Sequence, residues 1–394
     1  LTVPNTGSYD PASVPIVFDL RDQPAKGVTV NLRIPGPTPV PEAVAQAGAA
    51  EMIDHRGPEF AAMMERVTTG VKEVFQTKND VVVLTTSGSG AMEAAVVNHI
   101  SPGEEVIVVT VGEFGKRFLE LTEVYGAKPI EIAFEAGEPA DPNRIEEVVK
   151  ANPEVQTVLV THNETSTGIT NPLRDIAKAV KGAGRFLIVD AISSLSSIPV
   201  EVDNWDLDVV LSGSQKGWMV APGLAFVSMN ERSIELQAKT TTPRFYLDLK
   251  RARASAERGQ TPWTPAVSLF FQMDKAIELL RAEGMPNVYA RHHRHAERVR
   301  TGLQNLGLQL FAREGFRSDT VTAVLCPDGV DVANLRKIAR NDFGLVLAGG
   351  QGPLASKLFR FGHLGYCTDE AVEDGLEAVA KTLEKLDYKA PARG

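Results

Sequence analysis

The stretch TVLVTHNETSTGITNPLRDIAKAVKGAGRFLIVDA, residues 157–191, decides the architecture. It opens on the β-branched run "TVLVTH" (157–162), passes into a helical pattern from Pro172, and ends on the apolar run "RFLIVDA" (185–191). Short runs that are apolar at nearly every position suit strands buried on both faces. Joined through a helix, two such strands lie parallel.

The same alternation extends in both directions. Upstream stand "VVVLT" (81–85) with a helix from Gly90, "EVIVVT" (105–110) with a helix from Gly115, and "KPIEIAF" (128–134) with a helix from Pro142. Downstream stand "DVVLSG" (208–213) and "LAFVSM" (224–229). These runs predict a large α/β domain over 34–284, with a mostly parallel sheet between helices. Within it, 58–76 carries Phe60, Met63, Met64, Val67, Val71, Val74 and Phe75 at helical spacing, a core-facing stripe. Residues 1–33, rich in Pro, Asp and Gly, predict an arm lying over the domain or over a neighbouring subunit.

Beyond the helical stretch 265–284 the pattern changes to helices alternating with pairs of strands, a smaller α+β domain over 285–394. Its strands are expected at "LQLFA" (308–312), "TVTAVLC" (320–326), "GLVLAG" (344–349) and "LFRFGHLG" (358–365). The basic run "ARHHRHAERVR" (290–300) has no carboxylate or cysteine company suited to a metal and reads as a solvated helix face.

A 394-residue chain with 43% hydrophobic residues can bury a large core, and a net charge of −9 argues against nucleic-acid partners. Two cysteines, Cys326 and Cys367, support neither a disulfide framework nor a Cys-rich zinc site. A reducing, cytoplasmic setting is expected. No apolar run approaches the roughly 18 residues of a membrane span, and "LTVPNTGSYD" lacks a signal-peptide pattern.

Ligands of open α/β sheets bind beyond the carboxyl ends of the strands. After "VVVLTT" come Ser87, Gly88, Ser89 and Gly90, small residues that open a helix and can cradle a phosphate. After "EVIVVTV" comes Phe114, a ring able to stack on a planar ligand. Asp190 ends "FLIVD", where a buried carboxylate needs a positive partner. Lys216 follows "LDVVLSGSQ" and precedes another apolar run, which turns it toward a pocket. A direct Asp190–Lys216 salt bridge is one reading; the other separates the two by a cofactor ring. Pyridoxal phosphate meets every requirement, with an aldehyde for the lysine, a ring nitrogen for the carboxylate, a flat face and a phosphate.

The segments "PGPTPVP", "DHRGPEF", "SGSGAMEAA", "THNETSTGI", "VDAISSL", "SGSQKG", "SDTVTAV" and "FRFGHLG" occur in that order between about residues 34 and 366. Together they resemble the class V aminotransferases of pyridoxal phosphate fold type I, and most closely the serine–glyoxylate and alanine–glyoxylate group. The resemblance implies that Lys216 bonds the cofactor aldehyde, that Asp190 partners the ring nitrogen, and that Gln215, Ile192, Phe114 and Thr165 surround the ring. It implies Ser87, Gly88 and Ser89 at the phosphate, with Thr261 and Thr264 of "TPWTP" reaching the phosphate of a partner subunit in a homodimer. It implies Arg360 at the substrate carboxylate, with Gly36 also in the substrate site. A small amino donor, L-serine or L-alanine, and glyoxylate or another small 2-oxo acid would then exchange an amino group by ping-pong kinetics. Arg244, Arg251 and Arg253 are the arginines that could admit an acidic donor such as aspartate. A lyase or desulfurase on the same fold would need a nucleophilic cysteine on a mobile loop, and a non-catalytic subunit would be expected to lose Lys216 or Asp190.

Overall fold

The computed structural model describes residues 30–390, so residues 1–29 of the expected arm lie outside the described residues. The chain enters through β1 (Asn31–Arg33), α1 (Glu42–Ala47) and α2 (Pro58–Phe75). It then alternates as expected: β2 (Asp80–Leu84), α3 (Gly88–His99), β3 (Glu105–Thr110), α4 (Glu113–Val124), β4 (Lys128–Ala133), α5 (Pro142–Ala151) and β5 (Thr157–Thr161). A small hairpin, β6 (Asn163–Glu164) and β7 (Ile169–Thr170), precedes α6 (Leu173–Gly182), β8 (Phe186–Asp190), β9 (Val209–Gly213) and β10 (Ala225–Met229).

Seven of these strands form one sheet in the order β2-β10-β9-β8-β5-β3-β4. Only β10 runs antiparallel to its neighbours. No helix separates it from β9, so the chain returns as a wide hairpin instead of crossing over. The buried runs behave as their composition requires. In β5, Val158 and Val160 enter the core on one face and Leu159 the core on the other; in β3, Ile107 and Val109 oppose Val106 and Val108. Each such side chain contributes roughly 1.5–3 kcal/mol by leaving water. From β3 the chain moves out to β4 and then returns to β5 on the other side of β3. The loops after β3 and β5 therefore diverge and leave a crevice at the carboxyl ends.

Helices α7 (Glu231–Gln237), α8 (Leu249–Ala256) and α9 (Val267–Glu283) complete the larger unit, and α10 (Met285–Asn305) leads away from it. A second sheet is built from β11 (Val321–Leu325), β12 (Leu345–Gly349) and β13 (Leu358–Gly362), with α11 (Val332–Phe343) and α12 (Asp369–Lys385) against it. Its order is β1-β12-β13-β11. Asn31–Arg33, grouped by sequence with the arm, is thus a strand of the C-terminal sheet, parallel to Leu345–Leu347. Three residues are too few to show a strand's alternation, and the partner lies at the far end of the chain. The expected strand "LQLFA" is reduced to one bridge, Leu310 to Val324.

The histidine run also differs from expectation. Val288, His292, His295, Ala296, Val299 and Leu303 form the buried side of α10, and only His293 of the three histidines is exposed. His292 accepts the Gly365 N–H through Nε2 at 3.0 Å and donates through Nδ1 to Val288 O at 2.7 Å. Burial lowers its pKa to about 3, so it is a neutral packing group. Among the described residues, no three His, Cys, Asp or Glu side chains are grouped to hold a metal, and no helix is long and apolar enough to cross a membrane.

Candidate active site

Lys216 lies in the loop between β9 and β10. That loop is pinned by Trp218, fully buried between Phe75 and Phe226, whose Nε1 donates to Ser212 Oγ at 2.7 Å. Lys216 is half-buried, and its Nζ donates to Pro35 O at 2.5 Å. The segment after β1 is clasped to it: Thr38 N–H donates to Gln215 O at 3.1 Å and Thr38 Oγ1 to Lys216 O at 3.0 Å. Gly36 is required here, because with φ +129° a Cβ would be strained and would also stand 2.7 Å from Lys216 Nζ. Desolvation lowers the lysine pKa to about 8; Asp190 opposes the shift, and Arg360 and Arg117 add to it.

Asp190, 3% exposed, ends β8. The Ile192 N–H donates to its Oδ1 at 2.9 Å, and Thr161 Oγ1 reaches Oδ2 at 3.4 Å. Burial raises its pKa to about 6. No lysine or arginine nitrogen among the described residues comes within 4.0 Å of it, so the direct salt bridge to Lys216 is not formed.

Ser87 caps α3, its hydroxyl accepting from Gly90 N–H at 3.4 Å. Ile192 presses on the start of this helix, since a Cβ on Gly88 would lie 2.8 Å from Ile192 Cδ1. Gln215 reaches the same place: a Cβ on Gly213 would meet Gln215 Oε1 at 3.0 Å and Gly88 Cα at 3.4 Å. Gln215 Oε1 is buried without a hydrogen-bond partner. Ser89 Oγ accepts from Arg117 Nη1 at 2.9 Å, and the Arg117 guanidinium lies 4.7 Å from the centre of the Phe114 ring.

Two residues that sequence reading missed organise this crevice. Arg117 is one. The other is Glu164, fully buried in β6, which accepts from the N–H groups of Phe114 (2.9 Å) and Gly115 (3.1 Å) through Oε2 and from Ser166 Oγ (2.6 Å) through Oε1. It thereby ties the loop after β5 to the first turn of α4, where a negative charge suits the helix dipole. Burial raises its pKa, and the hydrogen bonds oppose that shift. The available signal was a lone acid among the small polar residues of "THNETSTGI".

Arg360 on β13 closes the crevice from the second sheet. It is 7% exposed, with Nε donating to Gly349 O at 2.8 Å and Nη1 to Thr165 O at 2.9 Å. Burial lowers its pKa to about 10. The structure thus brings together Gly36, Gln215 and Lys216; Asp190, Ile192 and Gly88; Ser89 and Phe114 through Arg117; and Thr165 with Arg360. Thr261 is buried, its hydroxyl donating to Trp263 O at 2.6 Å, whereas Thr264 is exposed.

The other arginines are occupied elsewhere. Arg244 bonds the carbonyls of Val97, Gln237, Thr240 and Thr242, Arg251 lies 4.9 Å over the Phe245 ring, and Arg253 pairs with Asp80 at 2.8 Å. Neither cysteine is poised as a nucleophile. Burial pushes the Cys326 thiol up to about 11, and Cys367 is buried against Arg33 Nη1 at 2.6 Å.

Residues 31–357 match the family model described as aminotransferase class V. The chain is 42% identical to a soluble hydrogenase small subunit of Synechococcus over 91% of this chain and 94% of that one. It is 35% identical to the L-aspartate–glyoxylate aminotransferase of Paracoccus denitrificans, covering 90% and 91%. The solved alanine–glyoxylate aminotransferase of Nostoc superimposes with a TM-score of 0.87 at 29% identity, covering 94% and 100%. The family match spans most of the chain, and the Synechococcus and Paracoccus relatives, both above 30% identity, are covered over nine-tenths of their length, so the chain belongs to the class V aminotransferases.

Proposed function

We propose that this protein binds pyridoxal 5′-phosphate and transfers the amino group of a small amino acid, L-serine or L-alanine, to glyoxylate or another small 2-oxo acid. The observation that carries the reading is the pairing, in one crevice, of a lysine with its pKa lowered to about 8 and a buried carboxylate that has no cation against it. The residues present fit the cofactor. Asp190 needs a proton donor such as a ring N–H, the unpartnered Gln215 Oε1 faces the start of α3, and Gly88, Ser89 and Arg117 make that start a cradle for an anion.

When bound, pyridoxal phosphate supplies an aldehyde for the lysine amine and a ring that takes up the electron pair left at the substrate Cα. The chain does the rest. Lys216, neutral for much of the time near pH 8, accepts and returns the proton at Cα. Asp190 would hold a proton at the ring nitrogen, Ile192 and Phe114 would bound the ring, and Thr165 would stand near it. Arg360 binds the substrate carboxylate, and Gly36 leaves room for the lysine to move.

A small donor is favoured because Arg244, Arg251 and Arg253 all have other partners. The similarity to an aspartate–glyoxylate enzyme supports a second reading with an acidic donor. Steady-state assays of serine, alanine, aspartate and glutamate against glyoxylate and 2-oxoglutarate test the choice. Serine or alanine with glyoxylate should be preferred, and a clear preference for aspartate would replace the donor assignment while keeping the chemistry. A homodimer in which Thr264 approaches the partner's cofactor, and a division into units at residues 34–284 and 285–394 with 31–33 joined to the second, belong to the same reading.

A further inference from the structure

Gln351 stands between β12 and β13, directly before the short 3-10 turn Gly352–Leu354. Its Oε1 accepts from Arg360 Nη1 at 3.1 Å. A guanidinium has five N–H donors. The bonds to Gly349 O, Thr165 O and Gln351 engage the proton on Nε and both protons on Nη1, leaving those on Nη2. A two-point grip on a carboxylate uses Nη2 together with either Nε or Nη1. Each edge of Arg360 therefore has one of its two donors already engaged, and Arg360 alone cannot make that grip without breaking a bond.

A carboxamide that gives its oxygen to a cation presents its NH2 group beside that cation. Gln351 Nε2 has no hydrogen-bond acceptor among the described residues. The loop holds it there. A Cβ on Gly350 would lie 2.0 Å from Leu354 O, and a Cβ on Gly352, at φ +49°, would lie 2.3 Å from Glu113 Oε1. Glu113 opens α4 immediately before Phe114, so the loop carrying Gln351 rests on the element that carries the ring.

We propose that Gln351 and Arg360 form a two-residue clamp for the substrate α-carboxylate, one oxygen taken by Arg360 Nη2 and the other by Gln351 Nε2. This rests on the aminotransferase reading and adds a determinant of affinity to it. Leucine at 351 keeps the volume and removes both polar atoms. Glutamate keeps the shape but sets a second carboxylate against Arg360, where it repels the substrate's.

The test is a half-reaction of the cofactor-loaded protein, followed by the cofactor's absorption, with L-serine and L-alanine and with their amides, which lack the carboxylate. Gln351→Leu should weaken apparent binding of the acids roughly ten- to a hundredfold, the size of a charge-assisted hydrogen bond. The maximal rate should change less than about threefold, and the amides should be unaffected. Gln351→Glu should weaken the acids further, and it carries the test alone if the leucine variant does not fold. Unchanged affinity for the acids, or equal losses for acids and amides, would overturn the clamp. A wild-type protein that reacts with no amino acid would instead overturn the function on which it rests.

Discussion

The ammonium nitrogen of Lys216 lies 2.5 Å from the carbonyl oxygen of Pro35, so the loop after β9 is closed onto the segment that leaves β1. Burial disfavours the charged form of the amine more than Asp190 favours it, and the pKa falls to about 8.

The amine must be neutral to attack an aldehyde. Capture of pyridoxal phosphate by cofactor-free protein should accelerate with pH and level off above about 8, well below the ordinary lysine value of 10.5. Stopped-flow absorption between pH 6 and 10 measures this, and a rate still climbing tenfold per pH unit up to pH 10 would contradict it. Lys216→Ala should show no such absorption change and lose at least about a thousandfold in turnover.

Asp190 makes a pH-dependent contribution to stability. Its pKa is raised from 3.8 to about 6 by burial, so the folded state holds the proton more tightly than the unfolded chain does. The stabilisation is complete below pH 3.8 and is lost as pH rises through about 6, a change of about 3 kcal/mol. In cofactor-free protein, Asp190→Asn should therefore gain on wild type by up to that amount between pH 4 and 7 in denaturant titrations. With cofactor the same variant should lose activity about a hundredfold or more, because the ring nitrogen loses its charged partner. Parallel stability profiles would refute the first statement, and an unchanged rate the second.

Glu164→Gln replaces one acceptor oxygen with an NH2 group among N–H donors. Unfolding free energy should fall by about 1–3 kcal/mol. Cofactor affinity should fall as well, because the first turn of α4, with Phe114, loses its anchor. Equilibrium unfolding and cofactor titration measure the two effects. A variant unchanged in both would mean that Glu164 is merely tolerated.

Phe245 and Tyr246 are 62% and 48% exposed and stack on Trp263, next to Thr264. Sedimentation should find a dimer, and Thr264→Ala should lower cofactor retention more than melting temperature. An active monomer would contradict both expectations.

Much of this was visible in the sequence because it is local. Apolar runs bounded by small residues mark β2, β3, β5, β8 and β9, and Ser87, Phe114, Asp190 and Lys216 stand directly after or at the end of such runs. What was hidden depends on distant chain segments. Gln351 matters through Arg360, Arg117 through Ser89, and Glu164 through amides some fifty residues away in the chain. The buried side of α10 was legible in principle, since His292, His295, Ala296 and Val299 keep the three- and four-residue spacing of Val288 and Leu303. Histidine's polarity masked that stripe.

The pairing of Asn31 with Leu345 has a consequence for birth on the ribosome. At about 5–20 residues per second, β1 emerges roughly a quarter of a minute to a minute before its partner strand exists. Pro35, Gly36 and Thr38 follow directly from β1, so the enclosure of Lys216 is completed only after β12 has been made. Nascent chains released before β12 should retain the seven-stranded sheet's sequence in full and still leave the loop of Lys216 unclasped.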